Sequence, residues 1–180
     1  LIEKYARKLV EAGYAEAEAP LLGAVDADLV WNREDTAIPI FEKVFAGLNI
    51  QSLLFGRPAE PYRTVVDYLA GEADGTIFPE DTETRTFFHD LPVASAFDPW
   101  EMISALKERK CVIIPGRGIV TFGTVSPEQA FITFCSVCFA AFVKFFADCL
   151  AEVRRGKWDP KREQAFGRAV AGLPEPVVCA

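Results

Sequence analysis

The chain has 180 residues, 51% of them hydrophobic and 15 of them Phe, which predicts one globular domain over residues 1–180 and excludes a disordered chain. The net charge of −7 argues against nucleic-acid binding, because neutralising phosphates takes clustered Lys and Arg. Four of the five cysteines, including a lone Cys-x-x-Cys, are interpreted as core residues of a cytoplasmic protein, since no second pair completes a zinc or redox site.

Helices and strand-like runs alternate along the first half of the chain. "LIEKYARKLVEAG" has apolar residues at helical spacing, and Gly13 suits the end of that helix. "DADLVW" predicts a short strand, "IPIFEKVFAGL" a helix, "NIQSLLFGRP" a strand and loop, and "PYRTVVDYLAG" a further helix. This alternation indicates a layered α/β arrangement.

The second half continues the same alternation. The threonines and aromatic residues from Thr82 to Asp90 predict a strand. "DPWEMISALKERK" predicts a helix capped by Asp98, and "CVII" and "IVTFG" predict two strands around a Pro-Gly-Arg-Gly turn. A capping-box pattern at Ser126 begins a long helix, Pro127 to Arg155, of about 29 residues and about 43 Å.

The middle of this long helix is apolar on all sides, so one core cannot cover it. Its charge-free stretch, Ala130 to Val143, is shorter than the roughly 20 residues that cross a bilayer, and no membrane association is expected. We expect partial burial in a homo-oligomer formed through the helix Pro127 to Arg155.

Several reaction classes are excluded by pattern. The chain has no phosphate-binding P-loop, no Gly-x-Gly-x-x-Gly after a strand and no Gly-x-Ser-x-Gly. His89 is the one histidine, so a hydrolytic triad based on His or a two-histidine zinc site within one chain would need a residue that is absent.

The stretch around His89 allows two interpretations. If it is extended, Glu83, Arg85 and His89 share one face, and an Arg–carboxylate pair on a half-buried strand explains the pattern. Alternatively, His89 with Glu80, Asp81, Glu83 or Asp90 surrounds substrate hydroxyls or a divalent metal, for which mixed carboxylate and imidazole ligands favour Mn²⁺ or Mg²⁺.

Two further arginine-containing segments are candidate anion sites. Asn49, Ser52 and Arg57 would form one if their loop folds back, the alternative being an Asn-capped strand entry with a surface Arg. Arg117, between Gly116 and Gly118, is either a solvated turn residue or a fixed positive charge where the glycines let a ligand approach the backbone.

The segment "ALKERKCVIIPGRGIVTFGTVSPEQAF", Ala105 to Phe131, resembles the C-terminal part of the class II aldolase/adducin family. "LNIQSLLFGRP" and "FFHDLPV" resemble that family's Asn-x-Ser phosphate segment and its histidine strand. The resemblance implies a three-layer α/β/α domain with a mixed, mostly antiparallel central sheet. In that family three histidines hold a catalytic zinc, two from a strand and one from the turn.

The departures from the family are as informative as the matches. Arg117 occupies the place of the family's metal-binding turn histidine, Phe87 stands where a second strand histidine is expected, and Ser52 falls one residue late after Asn49. We therefore expect a degenerate site, with His89, Glu83 and Arg117 as catalytic candidates and Asn49, Ser52, Arg57, Gly116 and Gly118 as substrate-binding candidates. On this interpretation one divalent metal (Zn, Mn or Mg) would bind to His89, Glu80 and Asp81.

Two functions remain open at the level of the sequence. One is binding or cleavage of a small phosphorylated or carboxylated polyhydroxy carbonyl compound. The other is a non-catalytic, oligomeric or regulatory scaffold of the same fold. If the protein binds a ligand, His89, Arg117 and the Asn49 loop should converge on one cleft, whereas a scaffold has no such requirement.

Overall fold

A computed structural model describes residues 1–173, which form seven helices and seven short strands. The elements are α1 (Ile2–Glu11), β1 (Leu21–Val25), β2 (Leu29–Trp31), α2 (Ile38–Gly47), β3 (Ser52–Gly56), α3 (Tyr62–Glu72), β4 (Thr76–Ile77), α4 (Thr82–Phe88), β5 (Leu91–Pro92), α5 (Pro99–Glu108), β6 (Cys111–Ile114), β7 (Gly118–Gly123), α6 (Pro127–Arg154) and α7 (Pro160–Ala171).

The main sheet has the strand order β2-β1-β3-β7-β6, and each neighbouring pair is antiparallel. β4 and β5 form a separate antiparallel pair, and a single parallel bridge joins Val93 to Ile113 beside β6. The mostly antiparallel sheet that the family resemblance implies is therefore confirmed.

Successive residues of β3 point to opposite faces of the sheet and so divide the core in two. Leu54 packs with residues of α1, α3, α6 and α7, whereas Leu53 packs with residues of α2 and α5. Both leucines are fully buried. The sheet thus lies between two helical layers, and the predicted three-layer α/β/α arrangement is confirmed.

The long helix α6 lies across one face of the sheet and ends one residue before the predicted limit. By length and composition alone it could cross a membrane, with a mean hydropathy of 2.0 over its most apolar window, but 44% of that window is buried within the protein. Neither hydrogen bond of the predicted capping box forms at its start. The Ser126 side chain makes no cap hydrogen bond, whereas the Gln129 side chain accepts one from the Val125 amide at 2.9 Å.

The strand predicted from Thr82 to Asp90 is wrong, because most of this segment forms α4. The Asp81 carboxylate caps the helix by accepting hydrogen bonds from the Thr84 amide, at 2.8 Å, and from the Thr84 hydroxyl. This capping outweighs the strand preference of the threonines, since a satisfied N-cap contributes about 1 kcal/mol. His89 follows the helix with a φ of 64°, and β5 begins two residues later.

Candidate functional site

The strand register separates the predicted site residues. Ser52, at the start of β3, pairs with Gly123, while Gly56, at its end, pairs with Ile119 near the Pro-Gly-Arg-Gly turn. Asn49 and Arg57 lie beyond opposite ends of this strand and are as much as about 26 Å apart at 3.3 Å per residue. They do not share a cleft. Ser52 is fully buried, and its hydroxyl donates to the Ser126 carbonyl at 2.9 Å.

Arg57 does line a cleft, here called the Arg57 cleft, of about 560 Å³ beside the first turns of α3. Its walls are almost entirely polar or charged side chains, drawn from the loop before α3, from α3 itself and from α7. They are Arg57, Glu60, Arg63, Thr64, Asp67, Tyr68 and Arg168.

Within this cleft Glu60 is held by three donors. It accepts hydrogen bonds from Arg63 Nε at 2.9 Å, from the Thr64 hydroxyl at 3.0 Å and from the Thr64 amide at 3.1 Å. Partial burial raises the pKa of Glu60, but these hydrogen bonds outweigh it and leave the pKa below its usual range. Arg63 also pairs with Glu16, so its charge is neutralised by two carboxylates.

The Tyr68 hydroxyl is also held by hydrogen bonds. Its hydroxyl accepts a hydrogen bond from Arg162 Nε at 3.0 Å and donates one to Asp159 at 3.3 Å. Burial raises the pKa of Tyr68, although Arg162 acts in the opposite direction. The phenol therefore stays protonated at neutral pH and is available to a ligand only as a neutral group.

The two remaining cations of the cleft are Arg57 and Arg168. Both are exposed, and neither forms an ion pair with a carboxylate of residues 1–173. Because Arg63 is neutralised by its own partners, Arg57 and Arg168 are the charges that a ligand in this cleft would meet. A guanidinium can bind phosphate or carboxylate through two parallel hydrogen bonds.

The Pro-Gly-Arg-Gly turn joins β6 to β7 and touches the same region of the molecule. The Gly116 amide donates to Asp67 Oδ1 at 3.1 Å, and this bond ties the turn to α3 and to the Arg57 cleft. The Arg117 guanidinium lies 4.9 Å from the centre of the Phe97 ring, and Phe97 packs with the α2 and α5 side of the sheet. Arg117 is thus held by a cation–π contact and does not line the cleft.

His89 and Glu83 do lie together, but in a different depression. This open groove of about 770 Å³, here called the His89 groove, runs between α4 and the end of α5. It contains two fixed charges at one end: Arg109 forms a bidentate pair with Asp90 at 2.7 and 2.8 Å, and the Lys110 ammonium lies 3.5 Å from the centre of the Phe87 ring. The groove adjoins the start of β6, whereas Arg117 follows its end.

The proposed metal ligands are not brought together. Glu80 pairs with Lys144 at 3.0 Å, Asp81 caps the start of α4, and His89 follows the end of that helix. Within residues 1–173 no group of three or more His, Cys, Asp or Glu side chains is placed to hold a metal ion. The residues present therefore do not fit the metal that the family resemblance implies.

Three charged residues of the Arg57 cleft were not among the predicted site residues: Glu60, just before α3, and Arg63 and Asp67 within it. Arg63 and Asp67 are four residues apart and share one face of α3, and Glu60 lies three residues before Arg63 in the turn that leads into the helix. This spacing in "EPYRTVVD" was a detectable signal, since polar residues on one helical face beside an otherwise apolar pattern indicate a solvent-lined surface.

Solved structures of two aldolases are similar to this chain. The L-fuculose-1-phosphate aldolase of Thermus thermophilus has a TM-score of 0.68 at 13% identity, and the alignment covers 83% of this chain and 93% of that one. The L-fuculose 1-phosphate aldolase of Glaciozyma antarctica has a TM-score of 0.64 at 15% identity, covering 92% and 78% respectively. No family model matches the sequence, and no curated protein matches it.

These similarities confirm the predicted resemblance to the class II aldolase/adducin family at the level of the fold. The chain has a class II aldolase fold, with an Arg in the turn and a charged, polar cleft beside it. At 13 and 15% identity, these similarities establish the fold of the chain.

Proposed function

We propose that this protein binds a small phosphorylated or carboxylated polyhydroxy compound in the Arg57 cleft. The observation behind the proposal is that Arg57 and Arg168 face one polar cleft without a carboxylate partner in residues 1–173. The two guanidinium groups would take the anionic group of the ligand. Asp67 and Thr64 line the same cleft and offer oxygen atoms to its hydroxyl groups.

Binding is favoured over cleavage by the state of Glu60. Carbon–carbon bond cleavage in a hydroxy carbonyl compound needs a base that accepts a proton near neutral pH. Glu60 is a carboxylate of the cleft that accepts three hydrogen bonds, and its lowered pKa makes it a weak base. The predicted proton-transfer pair, His89 with Glu83, lies in the separate His89 groove.

Isothermal titration calorimetry with L-fuculose 1-phosphate and with inorganic phosphate tests this proposal. We expect Arg57→Gln and Arg168→Gln each to weaken binding at least about tenfold, since a charge-assisted hydrogen bond is worth roughly 1.5–3 kcal/mol. Arg85→Gln, which removes an exposed arginine of α4, is the matched control and should bind like the wild type. Equal affinity of Arg57→Gln and wild-type protein for every binding probe would contradict the proposal.

A second function, that of a non-catalytic homo-oligomeric scaffold, is favoured by the surface of α6. Ile132, Phe139, Leu150 and Val153 of this helix are 49–66% exposed, which is more apolar surface than a monomer usually leaves on one helix. Light scattering on the wild-type protein tests this function independently of ligand binding, and Arg57→Gln should leave the assembly unchanged. A monomer at high concentration would contradict it.

A further inference from the structure

The side of α6 that faces away from the sheet has a regular pattern of exposed and half-buried residues. Along one side of the helix, small or apolar residues recur at alternating spacings of four and three, and this set is here called the α6 seam. Its members are Ile132, Ser136, Phe139, Val143, Phe146, Leu150 and Val153. This heptad spacing is typical of a helix that packs along its length against another helix.

The core does not account for the α6 seam. The buried side of the helix, which includes Phe134, Val137 and Phe145, already contacts the sheet and α3. Of the seam residues, Phe146 packs partly on the core through Phe166, whereas Leu150 remains 66% exposed. A second, outward-facing apolar side on a core helix therefore needs a partner that the described chain does not supply.

We propose that the α6 seam binds the α6 seam of a second copy of this chain, with the two helices antiparallel. The inference rests on the proposed scaffold function and specifies its interface. If the twofold axis passes beside residue 141, Ile132 faces Leu150 of the partner subunit and Phe139 faces Val143 of the partner subunit. The small Ser136 then faces Phe146 of the partner subunit, and Phe is the largest residue type in the α6 seam.

This register has the layer structure of an antiparallel coiled coil. In the heptad assignment, Ser136, Val143 and Leu150 take one core position, and Ile132, Phe139 and Phe146 take the other. The three pairings occur twice about the twofold axis and make six layers, each of which combines the two positions, and in the Ser136–Phe146 layers a small side chain lies opposite a large one. Such a contact between identical surfaces closes on itself as a dimer.

The charges at the two ends of α6 select the antiparallel orientation and a second copy as the partner. Glu128 lies exposed in the first turn, whereas Arg154, Arg155 and Lys157 are exposed at the other end. Antiparallel pairing brings the acidic end of one helix level with the basic end of the other and opposes the helix dipoles. A parallel pair would place three cations beside three cations.

The length of the helix is sufficient for a stable interface. Its 28 residues span about 42 Å. A standard interface buries roughly 800 Å² per partner and depends on a few well-packed apolar residues near its centre. Phe139 lies near the middle of the α6 seam, so it is the residue on which the dimer should depend most.

Light scattering during gel filtration of the full chain is the first test. We expect a dimer for the wild type and for the control variant Val30→Glu, which introduces a charge at a half-exposed position of β2. Phe139→Glu should raise the dimer dissociation constant at least about 100-fold, because it would bury two like charges in the apolar interface, one on each side of the axis. Circular dichroism confirms that the variant folds, as expected for a residue that is 49% exposed.

Disulfide trapping is the second test and does not depend on a disruptive variant. In a Cys179→Ser background, Ile132→Cys and Leu150→Cys proteins should cross-link when mixed and remain uncross-linked when oxidised singly. Cross-linking of Ile132→Cys with itself would overturn the antiparallel register. A dimer that persists in Phe139→Glu would contradict the α6 seam as the interface but not the scaffold function. A monomeric wild type, including one that binds lipid vesicles instead, would contradict both.

Discussion

The hairpin turn beside the Arg57 cleft contains two glycines whose replacements should differ sharply in cost. A Cβ added to Gly118 would lie 2.3 Å from the Gly56 carbonyl oxygen and 3.3 Å from the Arg57 Cα, and the residue has a φ of +146°. A Cβ on Gly116 would meet nothing within 4 Å, although its φ of +69° is also left-handed. Comparing the Gly118 and Gly116 variants therefore separates the energetic cost of close backbone approach from the cost of the left-handed backbone conformation.

The cost of Gly118→Ala follows from these distances. Cβ atoms essentially never lie within 3.0 Å of another atom, so β3 and β7 would have to separate by about 0.7 Å at the Gly56–Ile119 pairing. Weakening one or two ladder hydrogen bonds costs about 1 kcal/mol each, and an alanine in such a conformation costs a further 1–3 kcal/mol. We expect a loss of about 2–5 kcal/mol, against about 1–2 kcal/mol for Gly116→Ala.

Urea unfolding followed by far-UV circular dichroism measures both free energies of unfolding. The slope of each transition should stay close to that of the wild type, so that the midpoints can be compared directly. If Gly118→Ala loses no more stability than Gly116→Ala, the close approach of the strands at this turn is not what requires glycine, and the reasoning fails.

Three further outcomes are expected. The pKa of Glu60 is lowered in the folded protein, so Glu60 stabilises the fold above its unfolded pKa of 4.5, and this stabilisation is lost as the pH falls through the folded pKa. Urea unfolding at a series of pH values should therefore show a smaller loss of stability in acid for Glu60→Gln than for the wild type. Burial raises the pKa of Cys135 to about 12, so roughly one thiol in ten thousand is ionised at pH 8, and native Cys179→Ser protein should react with a thiol reagent at least about 100-fold more slowly than unfolded protein. Elemental mass spectrometry should find the same metal content in wild type and His89→Ala; one ion per chain, lost in the variant, would restore the predicted metal site.

Features that depend on neighbours in the chain were predictable from the sequence. Asp98 caps α5 by accepting hydrogen bonds from the amides of Trp100 and Glu101 at 3.0 and 3.1 Å, as the Asp-Pro pattern indicated. The same chemistry at Asp81 was overlooked because the threonines that follow favour strands, and the capping bond decided in favour of the helix.

The site depended on contacts that no local pattern contains. Asn49 and Arg57 are close in the chain, but a five-residue strand between them places them at opposite ends of the sheet. Arg168 reaches the Arg57 cleft from α7, more than a hundred residues later. Only the pairing of strands and the packing of α7 on α3 bring such residues together, so the polar face of α3 was the one part of the site that the sequence could have revealed.

The two edges of the main sheet offer little backbone to another chain. The β6 edge is covered where the Ala94 amide donates to the Ile113 carbonyl at 2.8 Å. The β2 edge is three residues long, and Asn32 ends it by accepting a hydrogen bond from the Leu22 amide at 2.7 Å through its side chain. Strand addition, the route by which many sheet proteins aggregate or recruit peptides, is thus restricted on both sides. Contacts with other molecules must be made through side-chain surfaces, which can be altered one residue at a time without disturbing the sheet.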